Sequence, residues 1–192
     1  AQLVEKARKL SITDGVTGLS NRRHFHEVLS IEMSRARRTG RPLSVVLVDL
    51  DGFRQYNELF GQTNGDKVLR SLGETLVSSL RKIDVVFRVG SDEFAVLFPA
   101  TDSCRAKKAM KRIRLKWTGE HEAENQALDV PLSFSTGIAQ FPENAQTSES
   151  LLFLADFALR QSKQNGGQRC TSASELGELP TPTPQWAGVG QL

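Results

Sequence analysis

The seven residues Arg88-Val89-Gly90-Ser91-Asp92-Glu93-Phe94 constrain this chain more than any other stretch. They lie between two apolar runs rich in β-branched and aromatic residues, Asp84–Val89 and Phe94–Phe98. Such runs read as strands, and Gly90-Ser91 between them reads as a tight hairpin turn. The turn carries two adjacent carboxylates, Asp92 and Glu93. Adjacent carboxylates repel each other unless something positive sits between them. A divalent cation, which prefers oxygen ligands, meets that need. A solvated acidic turn meets it as well.

A second acidic stretch narrows the choice. Leu43–Leu50 reads LSVVLVDL, the pattern of a strand buried on both faces, and it runs into Asp49-Leu50-Asp51-Gly52-Phe53. Acids at the end of a buried strand seldom serve stability, because an unpaired buried charge is costly. If the two strands are neighbours, Asp49 and Asp92 can hold one or two cations between them.

Bulk properties bound the rest. A chain of 192 residues can build one domain with a sizeable core, and 39% hydrophobic with 24% charged residues is ordinary for a globular domain. No run approaches the length of a membrane span, and no secretory signal is present. A net charge of +3 suits an anionic ligand without requiring nucleic acid, and 7% aromatic content shows no base-stacking platform. Cys104 and Cys170 form no CxxC pair, and His24, His26 and His121 have no metal-ligand spacing. A reducing, cytoplasmic setting follows, including the cytoplasmic part of a larger, membrane-anchored protein.

The remaining elements alternate between helix and strand. Asn21–Arg38 reads as an amphipathic helix capped by Ser20, Phe53–Leu59 as a short helix, and Gly65–Leu80 as a helix with Asp66 in its first turn. Ser103–Thr118 reads as a basic helix, Glu120–Asp129 as a loop, Leu132–Ala139 as a strand and Glu149–Asn165 as a helix. The pattern predicts an α/β (α+β) sandwich, one central mixed sheet flanked by helices. Residues 1–12 read as a linker helix, 13–171 as the domain, and 172–192, rich in Ser, Thr, Pro and Gly, as a disordered tail.

VGSDEF resembles the signature loop of GGDEF domains, the diguanylate cyclases, with Ser91 in place of the second glycine. Three further stretches support the likeness. Asp14–Arg23 resembles D-x-L-T-G-L-x-N-R-R. Asp49-Leu50-Asp51-Gly52-Phe53-Arg54, with Asn57 and Gly65-Asp66, resembles D-x-D-x-F-K-x-x-N-D-x-x-G-H-x-x-G-D. Ala155-Asp156 with Lys163 and Gly166 resembles A-D-x-A-L-Y-x-A-K-x-x-G-R-N.

The resemblance implies a fold like that of nucleotidyl cyclases and polymerase palms. It also implies condensation of two GTP into cyclic di-GMP and pyrophosphate, with Mg²⁺ or Mn²⁺, in an antiparallel homodimer under an upstream sensory domain. By the same likeness Asp49, the Leu50 carbonyl and Asp92 hold metal, and Glu93 or Asp92 assists deprotonation of the attacking hydroxyl. Asn57 and Asp66 face guanine, with Gln62 where the family usually has His. Arg54, Gly90, Ser91 and Lys163 lie near phosphates. Arg81 and Asp84 match the R-x-x-D product-inhibition site.

Two departures keep a non-catalytic module that binds cyclic di-GMP or GTP open as an alternative. Gly167-Gln168-Arg169 replaces the family's Arg-Asn after Gly166, so Arg169 compensates or one phosphate contact is missing. Ser91 replaces a glycine expected at φ > 0 or against phosphate. A left-handed serine costs about 1–2 kcal/mol, which would slow the reaction rather than abolish it.

Overall fold

The structure, a computed structural model, describes residues 12–177. The expected linker helix through Ser11 and the tail beyond Gly177 lie outside the described residues. In chain order the elements are β1 (Ser20–Asn21), α1 (Arg22–Thr39), β2 (Leu43–Asp51), α2 (Phe53–Phe60), α3 (Gln62–Ser79), β3 (Val85–Arg88) and β4 (Glu93–Pro99). Then come α4 (Ser103–Glu120), the short α5 (Glu122–Asn125), β5 (Ser133–Phe141), α6 (Ser148–Gln164), β6 (Cys170–Ser172) and a 3-10 turn at Ala173–Glu175.

The strands form one mixed sheet in the order β1-β3-β4-β2-β5-β6. β2 is central and antiparallel to both β4 and β5, while β1 pairs parallel with β3 and β6 parallel with β5. Burial on both faces of β2 follows from its unbroken apolar run, because alternate side chains leave a strand on opposite faces. Val46, Val48 and Leu50 enter one core with Phe94, Val96, Leu72 and Leu76 of α3, and Met110, Ile113 and Trp117 of α4. Leu43 and Val45 enter the other with Ala95, Leu97, Phe25, Leu29 and Met33 of α1, and Leu151, Leu154 and Ala155 of α6. The result is the expected sandwich of helices on both faces of a mixed sheet. Leu72 and Leu76 are fully buried, so truncating either to alanine costs about 2–5 kcal/mol.

Several boundaries differ from expectation, each for a local reason. Asn21, not Ser20, caps α1, its Oδ1 accepting from His24 N at 3.2 Å, while Ser20 pairs with Phe87 in the sheet. α3 begins at Gln62, directly after Gly61, so Asp66 sits beyond its first turn and gains little from the helix dipole. The Glu120–Asp129 segment is not all loop, since Glu122–Asn125 makes one helical turn.

The domain also runs past residue 171. Cys170–Ser172 pair with Thr136–Ile138, and Ala173 is fully buried. A capping box closes the turn: the Ser172 hydroxyl accepts from the Glu175 backbone, and Glu175 accepts from Ser172 N. The start of the supposed tail is therefore a sheet edge. Among the described residues no helix is long and apolar enough to cross a membrane.

Candidate active site at the end of the central strand

β2 delivers Asp49 toward the end of the sheet's central strand, between two partner strands. Register sets Asp49 opposite Glu93 of β4 and opposite Ser135 of β5. Leu50 N donates to Asp92 O at 3.2 Å, which ties the end of β2 to the hairpin loop. Three carboxylates thus gather where three strands end. From α6, Lys163 Nζ reaches Asp49 Oδ1 at 2.5 Å, a close ion pair without hydrogen-bond alignment.

Burial, opposed by Lys163 and reinforced by the charges of Asp92 and Glu93, pushes the Asp49 carboxyl up from 3.8 to about 6. Among the described residues no three His, Cys, Asp or Glu side chains form a metal-holding group by themselves. The expected set has two carboxylates and a main-chain carbonyl.

The loop has a backbone geometry that sequence reasoning did not anticipate. Ser91 does not occupy the left-handed region, and neither does Gly90; the non-glycine residues there are Ala100 and Gln168 among the described residues. The expected strain of a serine at this turn is therefore absent. Gly90 serves close approach instead, since a Cβ there would come within 2.3 Å of Glu93 Oε2. Ser91 Oγ donates to Asp92 Oδ1 at 2.6 Å.

Arg88 holds the loop by two carbonyls, donating from Nε to Gly90 O at 3.1 Å and from Nη2 to Ser91 O at 2.7 Å. Its Nη1 pairs with Asp14 at 2.9 and 3.1 Å. Burial alone would raise the Asp14 carboxyl, yet hydrogen bonds from Thr17 and the Arg88 guanidinium hold it below its ordinary value. Sequence reasoning quoted both residues inside motifs but gave them no role. Nothing local pairs them, because they stand 74 positions apart.

Asp51 was likewise unassigned. It is buried and accepts from Ser135 Oγ at 2.9 and 3.0 Å and from Gln168 N at 2.9 Å. It anchors the loop between α6 and β6. Gly167 in that loop has φ 68° and lies so close to Asp51 that a Cβ would stand 3.3 Å from its carboxyl carbon, so glycine here fits a turn. Arg169 turns back, its Nε donating to Gly167 O at 3.3 Å. It does not line the cleft described next.

An open cleft of about 450 Å³ runs from Asp92 and Lys163 past Leu50 and Phe53 to Arg54 and Glu58. Arg54 is exposed there and pairs with Glu58 at 3.0 Å. The far wall is the Asp129-Val130 loop, held by Gln55, whose Oε1 accepts from both backbone amides at 3.1 and 3.3 Å. Asn57, Gln62 and Asp66 lie at the α2–α3 junction, outside that lining. Asn57 Oδ1 is buried with no hydrogen-bond partner and rests on Gly65, where a Cβ would stand 1.8 Å away. A buried acceptor left unpaired costs about 1–3 kcal/mol.

Arg81 and Asp84 sit at the other end of the β3–β4 hairpin. Arg81 makes a two-point contact with Asp84, Nε at 3.2 Å and Nη2 at 2.9 Å, and Nη2 also donates to Thr101 Oγ1 at 2.6 Å. The Asp84 side chain is 2% exposed and that of Arg81 56%. The hydrogen bonds to Asp84 push the Arg81 guanidinium further up. This is more than a solvated surface pair.

Residues 11–169 match the family model described as diguanylate cyclase, GGDEF domain. The chain is 34% identical over 164 residues to the response regulator PleD of Caulobacter vibrioides, which covers 85% of this chain and 36% of that protein. It is 33% identical over 156 residues to the diguanylate cyclase DosC of Escherichia coli, covering 81% and 34%. The chain thus spans about a third of the length of these curated relatives. Among solved structures, the coiled coil and GGDEF domain of DgcB from Caulobacter crescentus, in complex with c-di-GMP, superposes with a TM-score of 0.76 at 25% identity, covering 89% of this chain and 90% of that one. The likeness runs from the turn at Asp14 through the loop after α6, and with it the chain belongs to the GGDEF family of diguanylate cyclase domains.

Proposed function

We propose that this domain joins two GTP molecules into cyclic di-GMP and that the reaction runs at Asp49, Asp92 and Glu93. One observation carries the reading. Three carboxylates converge at the ends of paired strands, and the one at the end of β2 is pushed up to about 6 with a lysine drawn against it. Such an arrangement is costly for a fold and useful for a site that takes up positive charge.

The residues fit a hard divalent cation. The donor set is all oxygen, and the Lys163 ammonium already stands at Asp49 Oδ1 as a positive group in its place. Asp49, Asp92 and the Leu50 carbonyl would hold Mg²⁺ or Mn²⁺. When bound, the metal would neutralise phosphate charge and polarise the phosphoryl oxygens. Glu93, exposed and across from Asp49, would take the proton of a 3′-hydroxyl. Each hydroxyl oxygen bonds to the α-phosphorus of the other GTP as the bond to pyrophosphate breaks. Lys163 and Arg54, both on the cleft, would steady the phosphates.

Asp66 would accept the N1–H and 2-amino protons of guanine, and the Asn57 amide would pair with O6 or N3. A cleft of about 450 Å³ suits one small ligand; with one GTP per domain, two copies would have to meet, as an antiparallel homodimer, to join two GTP molecules. An upstream sensory domain would bring two copies together, in the cytoplasm where GTP is made.

A second reading, a module that binds cyclic di-GMP without turnover, is favoured by the Arg81–Asp84 pair, in which a covered carboxylate holds an exposed guanidinium. Guanidinium and carboxylate offer complementary partners for a guanine edge. Incubating the dimer with GTP and Mg²⁺ and resolving the products decides between the two. Cyclic di-GMP should accumulate and then slow its own formation, and Arg81→Ala should relieve that slowing. No product, with tight cyclic di-GMP binding that Arg81→Ala removes, establishes the module.

A further inference from the structure

Ser91 is where the hairpin loop departs from the family's pair of glycines, and its side chain has a specific partner. The hydroxyl donates to Asp92 Oδ1 at 2.6 Å, within the range of a charge-assisted O–H···O⁻ bond. The backbone on either side is held. Arg88 grips the carbonyls of Gly90 and Ser91 at 3.1 and 2.7 Å, Asp14 grips Arg88 in turn, and Leu50 N holds the carbonyl of Asp92 at 3.2 Å. With the main chain held, the freedom left to Asp92 is in its side-chain torsions. The serine hydroxyl restrains those torsions, and glycine at this position offers no donor to do so. Ser91 is not in the left-handed region, so the hydroxyl comes without backbone strain.

We infer that Ser91 is a positioning residue for Asp92: its hydroxyl occupies one carboxylate oxygen and leaves the other for a divalent cation. The inference rests on Asp92 acting as a metal ligand, as proposed above. Groups that orient a ligating side chain raise metal affinity, and their loss typically costs about 10–100-fold. A single exposed hydroxyl belongs at the lower end, about tenfold.

The test is a Mn²⁺ titration followed by the electron paramagnetic resonance signal of the free ion. The full chain is loaded with 3′-deoxy-GTP, which cannot react. Ser91→Ala and Ser91→Gly should each weaken Mn²⁺ binding about tenfold, while Ser91→Thr, which keeps the hydroxyl, should stay within about twofold of wild type. Wild-type affinity in Ser91→Ala overturns the inference and leaves the metal site standing. Tighter binding in Ser91→Ala overturns it by making the hydroxyl a competitor. Equal losses in Ser91→Ala and Ser91→Thr overturn it by removing the hydroxyl from the explanation. A wild-type protein that takes up no Mn²⁺ overturns the metal site and the inference together.

Discussion

The electrostatics of the site can be read without any ligand through Asp49→Asn. Burial first, then the charges of Asp92 and Glu93, raise the Asp49 carboxyl from 3.8 to about 6 against the pull of Lys163. Each pH unit of such a displacement is worth about 1.4 kcal/mol, so ionised Asp49 costs the fold about 3 kcal/mol. The sign follows from proton linkage. The folded state holds this proton more tightly than the unfolded chain, so stability is lost as pH rises from about 4 through about 6, and the loss is constant above that.

Asparagine has the same shape and is neutral throughout. In EDTA the variant should therefore be more stable than wild type by about 2–3 kcal/mol at pH 7.5, or about 4–12 °C in Tm for a domain of this size. At pH 4 the two should lie within about 0.5 kcal/mol. Urea unfolding at pH 4, 5, 6 and 7.5 measures both limits. Equal stability at pH 7.5, or a gap that does not close toward pH 4, refutes the argument that burial and mutual repulsion govern Asp49. With GTP and Mg²⁺ the same variant should lose turnover, a gain in stability matched to a loss of function.

Four further outcomes follow from the geometry. Arg88→Ala leaves the part-buried Asp14 unpaired and frees two loop carbonyls, and should cost about 3 kcal/mol in urea unfolding; a loss under about 1 kcal/mol would show that Arg88 does not hold the loop. Gly65→Ala should displace Asn57, whose Oδ1 would stand 1.8 Å from the new Cβ, and weaken GTP binding by calorimetry while the far-ultraviolet circular dichroism is kept. GTP should bind more tightly than ATP by about 1–3 kcal/mol, because adenine leaves Asp66 without its two donors; equal affinities reject the Asn57–Asp66 assignment. Arg81→Ala should weaken cyclic di-GMP binding at least tenfold, since charge-assisted hydrogen bonds are worth about 1.5–3 kcal/mol, and unchanged affinity would place the dinucleotide elsewhere.

What the sequence determined by itself is whatever depends on short-range pattern. The apolar run Leu43–Leu50 announced a central strand because no other element buries both faces over so few residues. The hairpin was legible because its strands are joined by only four residues, and the acids Asp49, Asp92 and Glu93 were legible because charge at the end of an apolar strand is anomalous. Lys163 and the Arg81–Asp84 pair were singled out by the family resemblance.

Only the tertiary structure decided the rest, because it depends on residues distant in the chain or on backbone angles that residue identity does not dictate. Asp14 meets Arg88 across 74 positions, and Asp51 meets Gln168 across 117. Cys170–Ser172 became a strand because β5 left an open edge beside them, which carries the sheet one residue into the stretch whose composition reads as tail. Ser91 keeps an ordinary φ because Arg88 and Leu50 hold the loop around it, so a substitution that looked like strain in the sequence is a hydrogen bond to Asp92 in the fold.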